Sequence, residues 1–211
     1  MKEILLLENN EESLYTRADE IDTSSQAQEM REIVHQIKDT MRKKGLKHLS
    51  APAIGYDKRI FCIDYEDLEI KTYINPVIAS GGGLTLSKET CECIPGRTFL
   101  VPRNNEISIL YQRPIGNTDS RTLLGAAAIV FQHEMNHLDG VMLSDIGLEI
   151  DEDFENASEE ERSSIIEMYL DSLDLRSKSL EEQIQETPEL KKVDDGIRFL
   201  EGVAKGEIQQ H

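Results

Sequence analysis

Between residues 25 and 44 the apolar side chains of Met30, Ile33, Val34, Ile37 and Met41 recur at offsets of three, four, seven and eleven, with polar residues between them. That spacing predicts an amphipathic helix, and Gly45 is placed to end it. His35 lies off the apolar stripe and reads as a solvated helix residue rather than a ligand. From Arg59 the texture changes to short β-rich runs at 60–65, 70–79, 99–102 and 107–111, separated by Gly, Pro, Asn and Asp. Gly81, Gly82 and Gly83 are expected to turn the chain. Residues 123–138 return to a helical pattern, with Ala126, Ala127 and Ala128 as small packing positions. Helix, strands, helix is the order of an α+β domain whose helices are segregated from a mixed or antiparallel sheet.

Beyond residue 144 the pattern is again helical. Ser158 with Glu161 reads as a capping box, followed by a stripe of Ile165, Ile166, Tyr169, Leu170 and Leu173. Thr187 and Pro188 are expected to open one more helix, carrying Leu190, Val193, Ile197 and Leu200. The charge is concentrated here. Of a formal net charge of -18, residues 145–211 carry -13, from 20 acids and 7 bases. We therefore expect one domain over residues 1–145 and an acidic helical C-terminal extension over 146–211. The extension is either a solvated helical arm or a surface for a homodimer or another partner.

The acidic balance excludes a general nucleic-acid binder and docking on an anionic membrane, because both need clustered Lys and Arg. The apolar run at residues 4–7 is too short for a signal-peptide core. Three cysteines, Cys62, Cys91 and Cys93, are an odd number in such a chain, which favours reduced thiols and a cytoplasmic setting over a disulfide framework.

Within the second helical pattern stands His133-Glu134-Met135-Asn136-His137, an H-E-x-x-H motif. Helical residues four apart differ by about 40° in direction, so both imidazoles reach one metal from one face. Glu134, one residue after the first histidine, is placed to take a proton from an activated water. A catalytic site needs a third ligand. Leu143 stands where a metzincin would have its third histidine, so that class is excluded. A downstream Glu of the thermolysin kind has no distinguishing spacing, which leaves the thiols of Cys91 and Cys93 as candidates.

The stretch Glu89-Thr90-Cys91-Glu92-Cys93-Ile94-Pro95-Gly96 resembles the E-G-C-L-S-x-P-G motif of peptide deformylases, and residues 132–138 resemble their Q-H-E-x-D-H-L. Leu100-Val101-Pro102-Arg103 is similar to the family's V-P-R, and Tyr73-Ile74-Asn75-Pro76 to its I-N-P. A degraded form of G-x-G-x-A-A-P-Q-I-G occupies residues 46–55. The resemblance spans roughly residues 4–145. It implies a peptide-deformylase-like α+β fold around a central helix carrying the motif, with Cys91, His133 and His137 as metal ligands and Glu134 as general acid/base. It also implies the backbone N–H of Glu92 as an oxyanion donor, and a buried structural ion pair of Glu89 with Arg103.

The implied reaction removes the formyl group from N-formylmethionyl peptides, with water activated by the metal and Glu134. One divalent ion is implied, Fe(II) by family habit, with Zn(II), Ni(II) and Co(II) as further candidates. Ile129 and Val130 are expected to line the pocket for the methionine side chain. Five departures from the motif bear on function. Ala53 stands in place of the glutamine whose amide steadies the oxyanion, and losing one such donor costs about 10²- to 10³-fold in rate. Glu92 replaces a leucine, and Leu46 and His48 replace glycines. His48 is a candidate substrate-side donor, and Cys93, where the family has serine, is a spare ligand or a small buried residue. The alternative function is therefore a catalytically weak or inactive relative that binds a peptide or protein partner.

Overall fold

The computed structural model describes residues 2–65 and 69–186, the stretch 174–186 through its backbone alone, and divides into two units, Met1–Asp151 and Glu152–His211. The first unit runs α1 (Leu7–Leu14), α2 (Ala27–Lys44), β1 (His48–Ser50), β2 (Ile60–Ile63), β3 (Lys71–Cys91), β4 (Ile94–Gln112), β5 (Thr118–Leu124), α3 (Ala126–Leu138), α4 (Leu143–Ile146) and β6 (Leu148–Glu149). The second holds α5 (Glu152–Asn156) and α6 (Glu159–Glu186). Strand order is β1-β2-β3-β4-β5 with β6 on β4, and every strand pairing is antiparallel. The fold is α+β, with helices packed on an antiparallel sheet.

Helix α2 forms because its apolar stripe can be buried: Met30, Ile33, Ile37 and Met41 lie in the core while His35 faces solvent. Gly45, at φ 71°, returns its N–H to the Met41 carbonyl, a left-handed cap that favours glycine.

The sheet corrects two local expectations. The glycines expected to turn the chain instead run through the middle of β3, with Gly81 opposite Ile107 and Gly82 opposite Glu106. A Cβ at Gly81 would stand 2.5 Å from the side-chain nitrogen of Asn104, so this glycine makes room for its β4 neighbour rather than a bend. Residues 99–102 and 107–111, expected as separate strands, are one strand for the same reason: the long β3 ladder holds the intervening polar residues in register. Leu123, expected to begin a helix, lies in β5 opposite Ile107, and the helix starts only after Gly125.

Two apolar clusters flank α3. One gathers Leu14, Met30, Ile37, Leu49, Ile60 and Phe99, and includes Cys91 and Cys93. The other holds Phe61, Tyr73, Ile107, Tyr111 and Phe131, with Tyr73 ring centroids 4.7–5.2 Å from those of Phe61, Tyr111 and Phe131. Helix α3 is buried at Ala128, Phe131 and Leu138 on the core side and at His133, Glu134 and His137 as well, so it is the central helix. The N-terminal segment fastens the surroundings of the motif: Leu5 N–H donates to the Ala53 carbonyl and Leu7 N–H to that of Cys93, both at 2.9 Å.

In the second unit Ser158 caps α6 reciprocally, Ser158 N–H to Glu161 Oε2 at 2.8 Å and Glu161 N–H to Ser158 Oγ at 3.2 Å. The helix expected from Thr187 lies outside the described residues. No helix among the described residues is long and apolar enough to cross a membrane.

Candidate metal centre

Cys91 reaches the site through a register shift. Thr90 pairs with Thr98 but Cys91 pairs with Ile94, and this bulge at the strand end re-aims the cysteine toward α3. Its Sγ lies 3.3 Å from His137 Nε2 and also hydrogen-bonds His133. The His133 and His137 rings are 5.2 Å apart between centroids, one turn apart on the same helix face. Residues 46 apart in sequence are thereby neighbours.

The histidine nearer the sheet is held by a buried network. Arg103 Nε donates to Glu89 Oε1 at 2.7 Å and Nη2 to Oε2 at 2.9 Å, a bidentate pair inside the protein. Glu89 Oε2 also accepts from His133 Nδ1 at 3.0 Å, which turns the other ring nitrogen, Nε2, toward Cys91 and the cavity. Arg103 Nη1 donates to Asn136 Oδ1 at 2.5 Å, closing the network back onto α3. Burial alone would raise the Glu89 carboxyl, but Arg103 and His133 hold it down at about 2. Burial pulls the other way on His133, where hydrogen bonds to Cys91 and Glu89 and the Glu134 charge hold it up at about 10.

Glu134 is 2% exposed. Burial favours its neutral form, yet its pKa is lowered by a hydrogen bond from His48 and by the charge of the surrounding histidines, so it is a carboxylate. His48 Nδ1 donates to Glu134 Oε1 at 2.6 Å, with the imidazole 31% exposed at the edge of the site. Glu134 Oε2, His137 Nδ1 and Ser50 Oγ are buried with no hydrogen-bond partner among the described residues. The Cys91 thiol is lowered, first by a hydrogen bond from Cys93, while Cys93 is raised by giving that bond; Cys91 is the thiolate of the two.

These groups border a cavity of about 20 Å³, lined from the end of β3, the β3–β4 connection and α3 by Cys91, Cys93, His133, Glu134 and His137 and from β1 and the turn after it by His48, Ser50 and Ala53. The volume suits one ion or one water. One thiolate, two imidazoles and an unpartnered carboxylate oxygen fit a borderline or soft divalent cation. Glu92 borders the cavity with its side chain in solvent. Ile129 and Val130 are half-buried on α3 and do not border it; Val130 packs on the second apolar cluster.

The family model for polypeptide deformylase matches residues 1–150. The chain belongs to the polypeptide deformylase family. It is 34% identical over 122 residues to a peptide deformylase of Dictyoglomus thermophilum, a match covering 58% of this chain and 79% of the relative. A protein of Agrobacterium fabrum described as peptide deformylase-like is 34% identical over 113 residues, covering 53% of this chain and 69% of that one. Among solved structures, the Thermotoga maritima peptide deformylase superposes with a TM-score of 0.63 at 27% identity, over 69% of this chain and 97% of the other. The Synechococcus elongatus enzyme, solved in complex with actinonin, gives 0.63 at 29%, over 70% and 79%. Membership in the deformylase family implies a divalent metal and N-formyl substrates.

Several deformylase-site contacts escape inspection of the sequence. Gln132 Oε1 accepts from Asn104 N–H at 2.9 Å and its Nε2 donates to the Asn104 carbonyl at 2.8 Å, locking α3 to β4 through a side chain that mimics a strand. The signal was its place at the head of the motif. Asn136 is legible only as a polar residue in the motif, and the His48–Glu134 contact had no local signal at all.

Proposed function

We propose that this protein is a metal-dependent hydrolase that removes the formyl group from N-formylmethionyl peptides on nascent chains in the cytoplasm. The observation that carries the reading is the convergence of Cys91, His133, His137 and Glu134 on one cavity sized for a single ion or water. Cys91, His133 and His137 would hold a divalent ion, for which Fe(II), Zn(II), Ni(II) and Co(II) are candidates. When bound, the ion supplies Lewis acidity toward the formyl oxygen and makes water a better nucleophile.

The chain's own residues do the rest. Glu89 accepts the Nδ1 proton of His133 and so presents Nε2 inward. Glu134 has divided duties: Oε1 is anchored by His48, and Oε2 takes the proton of the attacking water. As the C–N bond breaks, Glu134 passes that proton to the departing nitrogen, giving formate and a free α-amino group. The Glu92 backbone N–H is the oxyanion donor that side-chain replacement leaves in place, and Ala53 supplies none. Ile129 and Val130 remain candidates for the side-chain pocket of the substrate. The hydrolase reading belongs to residues 1–145; the acidic segment 146–211 is read as an extension that repels RNA and is the candidate surface for a second copy.

A second reading, a catalytically weak or silent relative that binds a peptide or protein partner, is favoured by one feature: the cavity holds about 20 Å³ and His48 borders it where the family motif has glycine. Metal-loaded protein assayed on formyl-Met peptides separates the two. The first reading expects turnover that falls about 10²- to 10⁴-fold in Glu134→Ala at unchanged metal content; no turnover above a metal-only blank would remove it.

A further inference from the structure

The hairpin that delivers Cys91 to the site delivers a second thiol with it. Cys91 ends β3 and Ile94 opens β4, so Glu92 and Cys93 are the whole connection. Of these two, Glu92 points to solvent and Cys93 is 1% exposed. Its backbone is pinned from the other side, since the Cys93 carbonyl accepts the Leu7 N–H at 2.9 Å. Cys93 belongs to the first apolar cluster, but apolar packing is not its whole environment. It borders the same cavity as His133, Glu134 and His137.

Three of the candidate donors stand together, with His133 beside them in a neighbouring group with His48 and Glu134. Cys91 Sγ, Cys93 Sγ and a ring nitrogen of His137 all lie within 4.8 Å of one another. Donors on one tetrahedral ion, with metal–sulfur bonds of about 2.3 Å, stand about 3.8 Å apart, so little movement brings both sulfurs onto a common ion. We propose that Cys93 Sγ is a second sulfur ligand, completing an S₂N₂ set with Cys91, His133 and His137. Cys91 is already a thiolate, and Cys93 releases its proton to solvent as its S–H bond is replaced by a bond to the ion.

Two consequences follow for the chemistry. Two thiolates cancel the charge of a divalent ion and select soft or borderline cations such as Zn(II) and Co(II) over harder ones. Four protein donors also fill the position that a catalytic site keeps open, so hydrolysis requires Cys93 to give up the ion. The proposal rests on the reading that this cavity holds an ion, and is independent of whether the protein turns over substrate.

The test is made on the full chain, stripped of metal and reloaded with Co(II) for optical spectroscopy or Zn(II) for X-ray absorption. Wild-type protein is expected to show two sulfurs per ion. In Cys93→Ser the count falls to one and the sulfur-to-cobalt charge-transfer absorption falls by about half. Competition against a chelator is expected to show affinity weakened about tenfold or more. An unchanged band and one sulfur in both proteins would overturn the proposal while leaving a metal site intact. If the wild-type chain takes up no stoichiometric ion, the proposal and the reading beneath it both fall. Should Cys93→Ser not fold, the sulfur count on the wild-type protein decides alone: two supports the assignment and one overturns it.

Discussion

The two walls of the cavity are built on different terms. On the wall formed by α3 and the ends of β3 and β4, Glu89 binds Arg103 and His133 together, Arg103 reaches on to Asn136, and Gln132 pairs with the backbone of Asn104, while Glu134 Oε2 and His137 Nδ1 stand without a partner among the described residues. On the wall formed by β1 and the turn after it, Ser50 Oγ is buried without a partner among the described residues, Ala53 offers no side-chain donor, and His48 reaches Glu134 through a single side-chain contact. The departures from the deformylase motif at His48 and Ala53 fall on this second wall, and those at Glu92 and Cys93 fall in the connection between β3 and β4, outside the Glu89–Arg103–His133 network. The contrast has a physical basis. A change in an interlocked buried network strands several groups at once, whereas a change on a wall of single contacts costs one contact at most.

That contrast can be broken or sharpened by substitution. The largest effect is expected on the first wall: Glu89→Ala leaves the Arg103 guanidinium buried and unpaired and frees His133 to rotate, costing about 3–5 kcal/mol in urea unfolding. A loss below about 1 kcal/mol would show that the network is not interlocked. Next comes Ala53→Gln on the second wall, which restores a donor and is expected to raise deformylation by about 10²- to 10³-fold with little change in unfolding midpoint. No gain in kcat/KM would mean that the missing amide does not limit this site.

Smaller still is Ser50→Ala, which removes a buried hydroxyl that bonds to nothing described and is expected to stabilise the fold by about 1 kcal/mol. Destabilisation of the same size would reveal a partner for Ser50. The smallest effect belongs to Cys62, behind that wall on β2, opposite Leu49. Burial pushes its thiol from 9.0 up to about 11. The unfolded chain therefore ionises it first, so the associated stability is complete below about pH 9 and is lost as pH rises toward 11. Unfolding midpoints compared between pH 8 and pH 11 should fall more for the wild type than for Cys62→Ala; parallel slopes would count against the shift.

Legibility followed the range of the interactions involved. Helix α2 could be read because its stripe, its buried face and its glycine cap are all local. The Ser158–Glu161 box is a contact across three residues and was equally visible. Strand β5, with the polar run Thr118 to Thr122, carries no alternating signal and exists because β4 offers it a seven-residue ladder. The glycines of β3 looked like a turn because isolated glycine flexibility is a local property, while the reason for Gly81 is a side chain 23 positions away, Asn104.

By itself the sequence determined that two imidazoles and a carboxylate share one turn-spaced helix face, because helical geometry follows from spacing alone, and that sulfur was available to join them. Only the tertiary structure decided how the thiols stand. The bulge at Cys91 and a two-residue connection place both sulfurs beside His137, and the packing of β1 on α3 sets His48 against Glu134. These are relations between residues 46 and 86 positions apart. No local pattern encodes such distances, since they arise from burying the sheet and the central helix against each other.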